Sequence, residues 1–274
     1  MSGILYLVAT PIGNLDDITL RAIKTLKEVD FIAAEDTRHS LKLLNHLEIS
    51  KPLISYHRHN EDIKSELLLE KLLDNKNIAL ISDAGTPGIS DPGEKIIKQC
   101  IENNIRIVPI PGACAFINAL IGSGLDTSEF TFLGFLPLNK KNRKDQFKKI
   151  KTCSNTSILY EAPHKLVSTL KDLSEIVENR KIVLVKELTK IHEEFIFGTA
   201  NELLKKIENP KGEFVILIEK SDNLEINNLE FLDNLSLEEH YNFYSKQGLS
   251  KNEIIKQIAK DKKVNKNQIY KKFI

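Results

Sequence analysis

Short apolar runs and helical stripes alternate through the first 121 residues. Ile4 to Ala9, Phe31 to Ala34, Leu53 to Tyr56, Ile78 to Ile81 and Ile105 to Ile110 are continuous apolar or nearly apolar segments bounded by polar turns, the pattern of buried strands. Between them, Leu20, Ile23 and Leu26, then Leu41, Leu44 and Leu47, then the stretch Glu61 to Leu73, and finally Ile96, Ile97, Cys100 and Ile101 recur at helical spacing. Strands that alternate with helices predict a mostly parallel sheet covered on both faces, an α/β fold.

The pattern changes near Gly122-Ser123-Gly124. Beyond it, Phe130 to Phe135, Ser157 to Tyr160, Lys181 to Glu187, Phe195 to Phe197 and Phe214 to Glu219 read as strands, with helices over Asn142 to Ile150, after His164 to about Val177, and over Ala200 to Ile207. This second α/β unit mixes strand directions more than the first. An acidic, Asn-rich linker runs to about Leu235, and the remainder is helical and basic. Ser250 with Glu253 forms a capping box there, and short helices over Glu253 to Ala259 and Asn267 to Phe273 suit a helix-turn-helix-like unit. The expected domains are 1–121, 122–220 and 235–274.

The richest stretch is Ser82 to Gly93, between an apolar strand and a helix. Three glycines, two prolines and two aspartates precede the helix, whose start is expected at Asp91 as N-cap with Pro92 at the first helical position. Gly88 and Gly93 have the glycine spacing of a phosphate-binding P-loop, but Glu94 stands where that motif needs lysine, and Asp91 adds negative charge. A nucleoside triphosphate is therefore disfavoured; a neutral or cationic molecule with hydroxyls and an ammonium group fits better. Asp83 is suited to accept from an ammonium or from ribose hydroxyls, and Gly85 and Gly112 admit close backbone approach. Loops at Thr10 to Leu15, Glu35 to Arg38 and Pro111 to Ala115 also follow strands, and in a parallel sheet such carboxyl-end loops share one rim.

Composition adds limits. The formal net charge is +1, yet Lys140 to Lys151 holds six lysines and Arg143 against Asp145, and Tyr241 to the C-terminus holds nine lysines against Glu253 and Asp261. Both stretches suit a polyanion, above all nucleic acid; the plain alternative is a solvated face on a lysine-rich chain. Cys100, Cys114 and Cys153 form an odd set without CxxC spacing, no run of eighteen apolar residues occurs, and no secretory signal is evident. A reduced, cytoplasmic protein without a membrane span is expected. His57 and His59 lack further ligand spacing, so no metal is expected.

The loop strings, taken with Tyr160-Glu161-Ala162-Pro163-His164 and Glu187 to Glu194, resemble the tetrapyrrole-methylase-like class of S-adenosylmethionine methyltransferases. Within that class the chain is similar to the bacterial branch that 2′-O-methylates a cytidine in the decoding region of small-subunit (16S) ribosomal RNA. Lys165 and Lys186 stand where that branch often has arginine, which keeps the charge and loses the bidentate fork. The resemblance covers the whole chain and implies two α/β domains with the cofactor cleft between them, plus a small C-terminal helical domain. It implies S-adenosylmethionine as cofactor, held by Pro11, Ser82, Asp83, Gly85, Thr86, Gly112, Ala113, Cys114, Ala115, Tyr160, Glu161 and Leu188. It also implies ribosomal RNA or the assembled 30S subunit as partner, and a homodimer.

The reaction would be in-line displacement at a sulfonium methyl by a ribose hydroxyl, in which positioning supplies much of the acceleration and a nearby base takes the proton. Candidates for that base or for other catalytic roles are Glu35, Asp36, Glu161, His164, Glu187, Lys190 and Glu193, with Glu35, Glu161, Glu187 and Lys190 foremost. Two alternatives remain at this point: methylation of a tetrapyrrole or other small acceptor on the same fold, and a non-catalytic RNA-binding module of ribosome assembly. The basic stretches argue against the first and the intact cofactor loops against the second.

Overall fold

A computed structural model describes residues 2–221, 232, 235–246, 248–262, 264–270 and 272–273. Strands β1 (Ile4–Val8), β2 (Phe31–Ala34), β3 (Leu53–Ser55), β4 (Ile78–Ile81) and β5 (Arg106–Ile110) form a parallel sheet in the order β3-β2-β4-β1-β5. Because successive side chains in a strand face opposite ways, Ala79 and Ile81 join a core with Ala22, Leu26 and Leu44, whereas Ile78 and Leu80 join another with Leu68, Leu72, Ile96 and Cys100. Helices α1 (Leu20–Glu28) and α2 (Thr37–His46) thus cover one face; α3 (Glu61–Leu73) and α4 (Glu94–Glu102) cover the other. Leu20, part of the expected apolar stripe, is exposed; Ala22, Thr25 and Leu26 are the buried positions of α1.

The second sheet is mixed, as its sequence suggests. Strands β6 (Phe130–Phe135), β7 (Thr156–Glu161), β8 (Ile182–Lys186), β9 (Glu194–Gly198) and β10 (Phe214–Ile218) take the order β6-β7-β10-β8-β9, with only β6 and β7 parallel. One face packs on α6 (Lys140–Thr152), α7 (Pro163–Ile176) and α8 (Ala200–Lys206) through Phe147, Ile150, Leu166, Leu170 and Leu203. The other packs on α5 (Ala115–Ser123), whose Ala119 and Leu120 meet Ile158, Val183, Val215 and Leu217. Helix α5 follows the loop after β5 and buries itself on the second sheet, so it carries the chain from one sheet to the other.

The C-terminal helices are α9 (Leu237–Lys246), α10 (Lys251–Asp261) and α11 (Lys266–Tyr270). Ile254, Ile255, Ile258 and Ile269 form their core, with Phe273 packed against it. Glu253 accepts from the Ser250 backbone N–H at 2.9 Å and from its hydroxyl at 2.6 Å. Residues 222–231 of the expected linker lie outside the described residues. Among the described residues no helix is long and apolar enough to cross a membrane.

Candidate active site

The carboxyl ends of β1, β2, β4 and β5 open toward one end of the second sheet, and a cavity of about 450 Å³ lies between them. Its first wall comes from loops of the parallel sheet: Ile12, Glu35, Asp83 to Thr86, Ile89 to Asp91, Cys114 and Ala115. Its second wall is built by strand pairing. Val215 lies beside Tyr160 on one side and Val185 on the other, a cross-strand row that presents an apolar floor completed by Phe135 and Leu188.

The loops are held by their own hydrogen bonds. Thr10 and Gly85 exchange backbone hydrogen bonds at 2.9 and 3.0 Å, tying the β1 loop to the glycine-rich one. Ser82 is buried, and its hydroxyl donates to the Gly85 carbonyl at 3.2 Å; the Thr86 hydroxyl donates to the Ala113 carbonyl at 3.1 Å. A Cβ on Gly112 would stand 2.9 Å from the Ala9 Cβ, so only glycine lets the β5 loop lie against β1 there. Ser90 has φ of 67°, a left-handed conformation that costs a non-glycine residue about 1 kcal/mol, and Arg58 Nη2 donates to its carbonyl.

Negative charge collects at the cavity without a lysine lining it. Asp83 Oδ1 accepts the Asp36 backbone N–H at 3.0 Å, fixing the two loops together. Burial, then the nearby Asp83 carboxylate, raises the Glu35 pKa despite Arg58 and His57. Asp91 is pushed up to about 6, chiefly by burial and next by Glu35, against a hydrogen bond from Ser82. Burial likewise raises the Cys114 thiol and the Tyr160 phenol, whose oxygen accepts the Phe116 N–H at 3.2 Å.

Of the expected binding residues, Asp83, Gly85, Thr86, Cys114, Ala115, Tyr160, Glu161 and Leu188 line the cavity. Pro11, Ser82, Gly112 and Ala113 do not line it; the last three support it from behind through the contacts above. Among the acid–base candidates, Glu35 and Glu161 line it. Glu161 is buried and accepts from the Ala162 N–H at 2.9 Å and the Thr169 hydroxyl at 2.6 Å. Glu187 and Lys190 sit outside, paired with each other at 2.9 Å, with Lys190 also 3.0 Å from Glu213. Burial works against the Lys190 charge, but its hydrogen bonds to Glu187 and Glu213 prevail and raise its pKa. Asp36 is turned to Arg38, which lowers its pKa to about 2, and Glu193 accepts the Thr189 N–H at 2.6 Å. His164 is exposed and does not line the cavity. His57 bonds to Asn60, and among the described residues no histidine, cysteine and carboxylate group has the arrangement of a metal site.

One expectation is corrected. Asp91 is not the N-cap of α4, which begins at Glu94 behind Gly93. Gly93 turns with φ of 149°, a corner open to glycine, so the helix starts two residues later and Asp91 lines the cavity. The aspartate before Pro92 matched a helix-start pattern and hid a site residue. Phe135, Val185 and Val215 were also not foreseen, since nothing in an apolar strand marks which end faces a ligand.

The cavity has the volume of a small-molecule site and the chemistry for a cation beside an apolar group: Glu35, Asp83 and Asp91 on the loop wall, and an apolar row flanked by Glu161 and Glu213 on the other. Relatives agree. The chain is 46% identical over 270 residues, 98% of its length and 93% of the relative's, to the ribosomal RNA small subunit methyltransferase I of Halalkalibacterium halodurans. Its fold is like that of a diphthine synthase, with a TM-score of 0.64 at 14% identity over 80% of this chain and 91% of that one. It is also like that of the Thermus thermophilus uroporphyrin-III C-methyltransferase complexed with S-adenosyl homocysteine, with a TM-score of 0.56 at 17% identity over 78% and 97%. The tetrapyrrole (corrin/porphyrin) methylase model matches residues 4–204, and the chain belongs to that family.

Proposed function

We propose that the protein is an S-adenosylmethionine-dependent methyltransferase that modifies the 2′-hydroxyl of a cytidine in the decoding region of 16S small-subunit ribosomal RNA. The observation that carries the reading is the cavity itself, with Glu35, Asp83 and Asp91 on its loop wall facing the apolar row of Tyr160, Val185 and Val215, in a chain alike over nearly its full length to a ribosomal RNA methyltransferase. The residues fit the cofactor. Asp83, Glu35 and Asp91 favour its ammonium and sulfonium charges, and Tyr160, Val185 and Val215 take apolar surface. When bound, S-adenosylmethionine supplies an electrophilic methyl group on a cationic sulfur.

The chain's own residues do the rest. The hydrogen bond from Asp36 to Asp83 and the Thr10–Gly85 bridge fix the loops before a ligand arrives, so little ordering remains at binding. The apolar row of Tyr160, Val185 and Val215 lowers the local dielectric, which strengthens the carboxylates' attraction for a cation. An acceptor hydroxyl must lose a proton, and Glu35 and Asp91, cavity carboxylates whose pKa values burial raises, are suited to take it. Glu161 is held by Ala162 and Thr169, one hydrogen bond to each carboxylate oxygen, and Lys190 is held cationic. A pKa near 6 suits Asp91 to accept a proton near neutral pH.

A homodimer and a cytoplasmic location, where small subunits assemble, belong to the same proposal; sedimentation of the full chain reads the first. Offering the protein tritiated S-adenosylmethionine with unmodified 30S subunits, with naked 16S RNA and with uroporphyrinogen separates the acceptor classes. Label in RNA of the subunits supports the proposal. Label in the tetrapyrrole alone overturns it.

A further inference from the structure

Helix α6 is the most basic element among the described residues: six lysines and Arg143 against the single acid Asp145. Lys140, Lys144, Lys148 and Lys151 fall on one stripe at helical spacing. They line an open groove of about 580 Å³ whose other side is α7. Lys148 is occupied by Asp145 at 3.0 Å, whereas Lys140, Lys144 and Lys151 are exposed and have no ion pair among the described residues. The acids in the groove are Asp172, engaged by Arg143 at 2.8 Å, and Glu175, so the lining keeps a positive balance.

Topology aims this groove at the cavity. β6 and β7 are parallel, their carboxyl ends carry Phe135 and Glu161 of the cavity wall, and α6 and α7 start from those ends. Only residues 136–139 separate Phe135 from Lys140. The basic stripe therefore begins beside the cavity and runs away from it for about 20 Å, the length of a thirteen-residue helix. Arg143 anchors the near end. Its guanidinium lies over the Phe147 ring at 5.0 Å and donates to Asp172 and, at 2.9 Å, to Thr169, whose hydroxyl in turn donates to Glu161.

We propose that the groove between α6 and α7 is the track for the phosphodiester backbone of the single-stranded RNA flanking the acceptor nucleotide. Lys140, Lys144 and Lys151 contact successive phosphates. This rests on the reading of the cavity as an RNA methyltransferase site. A ribose can enter the cavity only if the chain on one side of it lies along the rim, and the α6 stripe is a basic surface that starts there. Phosphate contacts by lysine position a strand without reading its bases, so sequence choice lies elsewhere.

The test is the triple variant Lys140→Glu, Lys144→Glu, Lys151→Glu in the full chain. Its control is Lys27→Glu, Lys42→Glu, Lys98→Glu, exposed lysines of α1, α2 and α4 with the same change in net charge. The probes are a labelled single-stranded RNA of about a dozen nucleotides and unmodified 30S subunits. At low salt the groove variant should bind both about 10- to 100-fold more weakly, with the slope of log affinity against log salt smaller by about 2, and the control should lose far less. Affinity for S-adenosylmethionine should be unchanged in both. Equal losses in variant and control, no loss in the groove variant, or equally strong competition by polyglutamate would overturn the proposal. Wild-type protein that methylates no subunits would instead sink the functional reading, and the oligonucleotide binding would still decide the groove.

Discussion

Asp91→Asn isolates the electrostatic cost of the cavity. In the folded protein the Asp91 carboxyl is pushed up to about 6 from 3.8, first by burial and then by Glu35. The folded state therefore holds this proton more tightly than the unfolded chain does. The resulting stabilisation is complete below about pH 3.8 and is lost as pH rises through about 6. Such a displacement corresponds to about 3 kcal/mol between the two protonation states. Solvent reaches part of the side chain and screens it, which leaves about 1–2 kcal/mol. Asparagine keeps the shape and never ionises. Urea unfolding without cofactor should give nearly equal stabilities for the two proteins at pH 4, with the variant ahead by about 1–2 kcal/mol above pH 7. A gap that does not change with pH, or a variant less stable than wild type at pH 7.5, would refute the account of a strained, anionic cavity. The same variant should bind S-adenosylmethionine more weakly at pH 7.5, since the lost charge faces a cation.

Other consequences follow from the same geometry. Asp83→Ala removes both a cavity charge and the acceptor for the Asp36 N–H; it should weaken S-adenosylmethionine binding by about 1–3 kcal/mol without unfolding the protein, and calorimetry showing wild-type affinity would remove Asp83 from the site. ATP should not compete with S-adenosylmethionine, because Glu94 and Asp91 replace the cationic grip a triphosphate needs; micromolar competition would contradict this. Truncation before residue 235 should leave cofactor affinity nearly unchanged, since α9 to α11 have a core of their own. It should weaken RNA binding by an amount that shrinks as salt rises, and equal RNA affinity of both forms at low salt would make this unit a solvated appendage.

Most of the fold was legible because period and burial coincide in this chain. Ile78 to Ile81 is apolar throughout and buried on both faces of a parallel sheet, while α3 spans Glu61–Leu73 as its pattern indicates. The carboxyl-end loops were legible for the same reason: glycines and prolines after an apolar run mark backbone bent around something. What could not be read was direction. Val185 and Val215 are ordinary core residues in sequence, and only the antiparallel pairing of β8 and β10 brings both to the cavity end. Glu161, Glu187 and Lys190 are alike as cleft groups in sequence; the first is engaged by Thr169 and Ala162, and the others by each other and by Glu213, and which neighbour each side chain turns to is set by the fold rather than by the local pattern. Asp91 was misread because Asp-Pro before a helix is so common a start signal that it masked the glycine corner after it.

The central claim is methyl transfer to one ribose of small-subunit RNA. It is tested most directly by reacting the protein with isotopically labelled S-adenosylmethionine and unmodified 30S subunits, then locating the label by nuclease digestion and mass spectrometry. The account predicts one labelled cytidine in the decoding region, with the methyl on its 2′-oxygen. Label on a base, on ribosomal protein, or on no part of the subunit would contradict it.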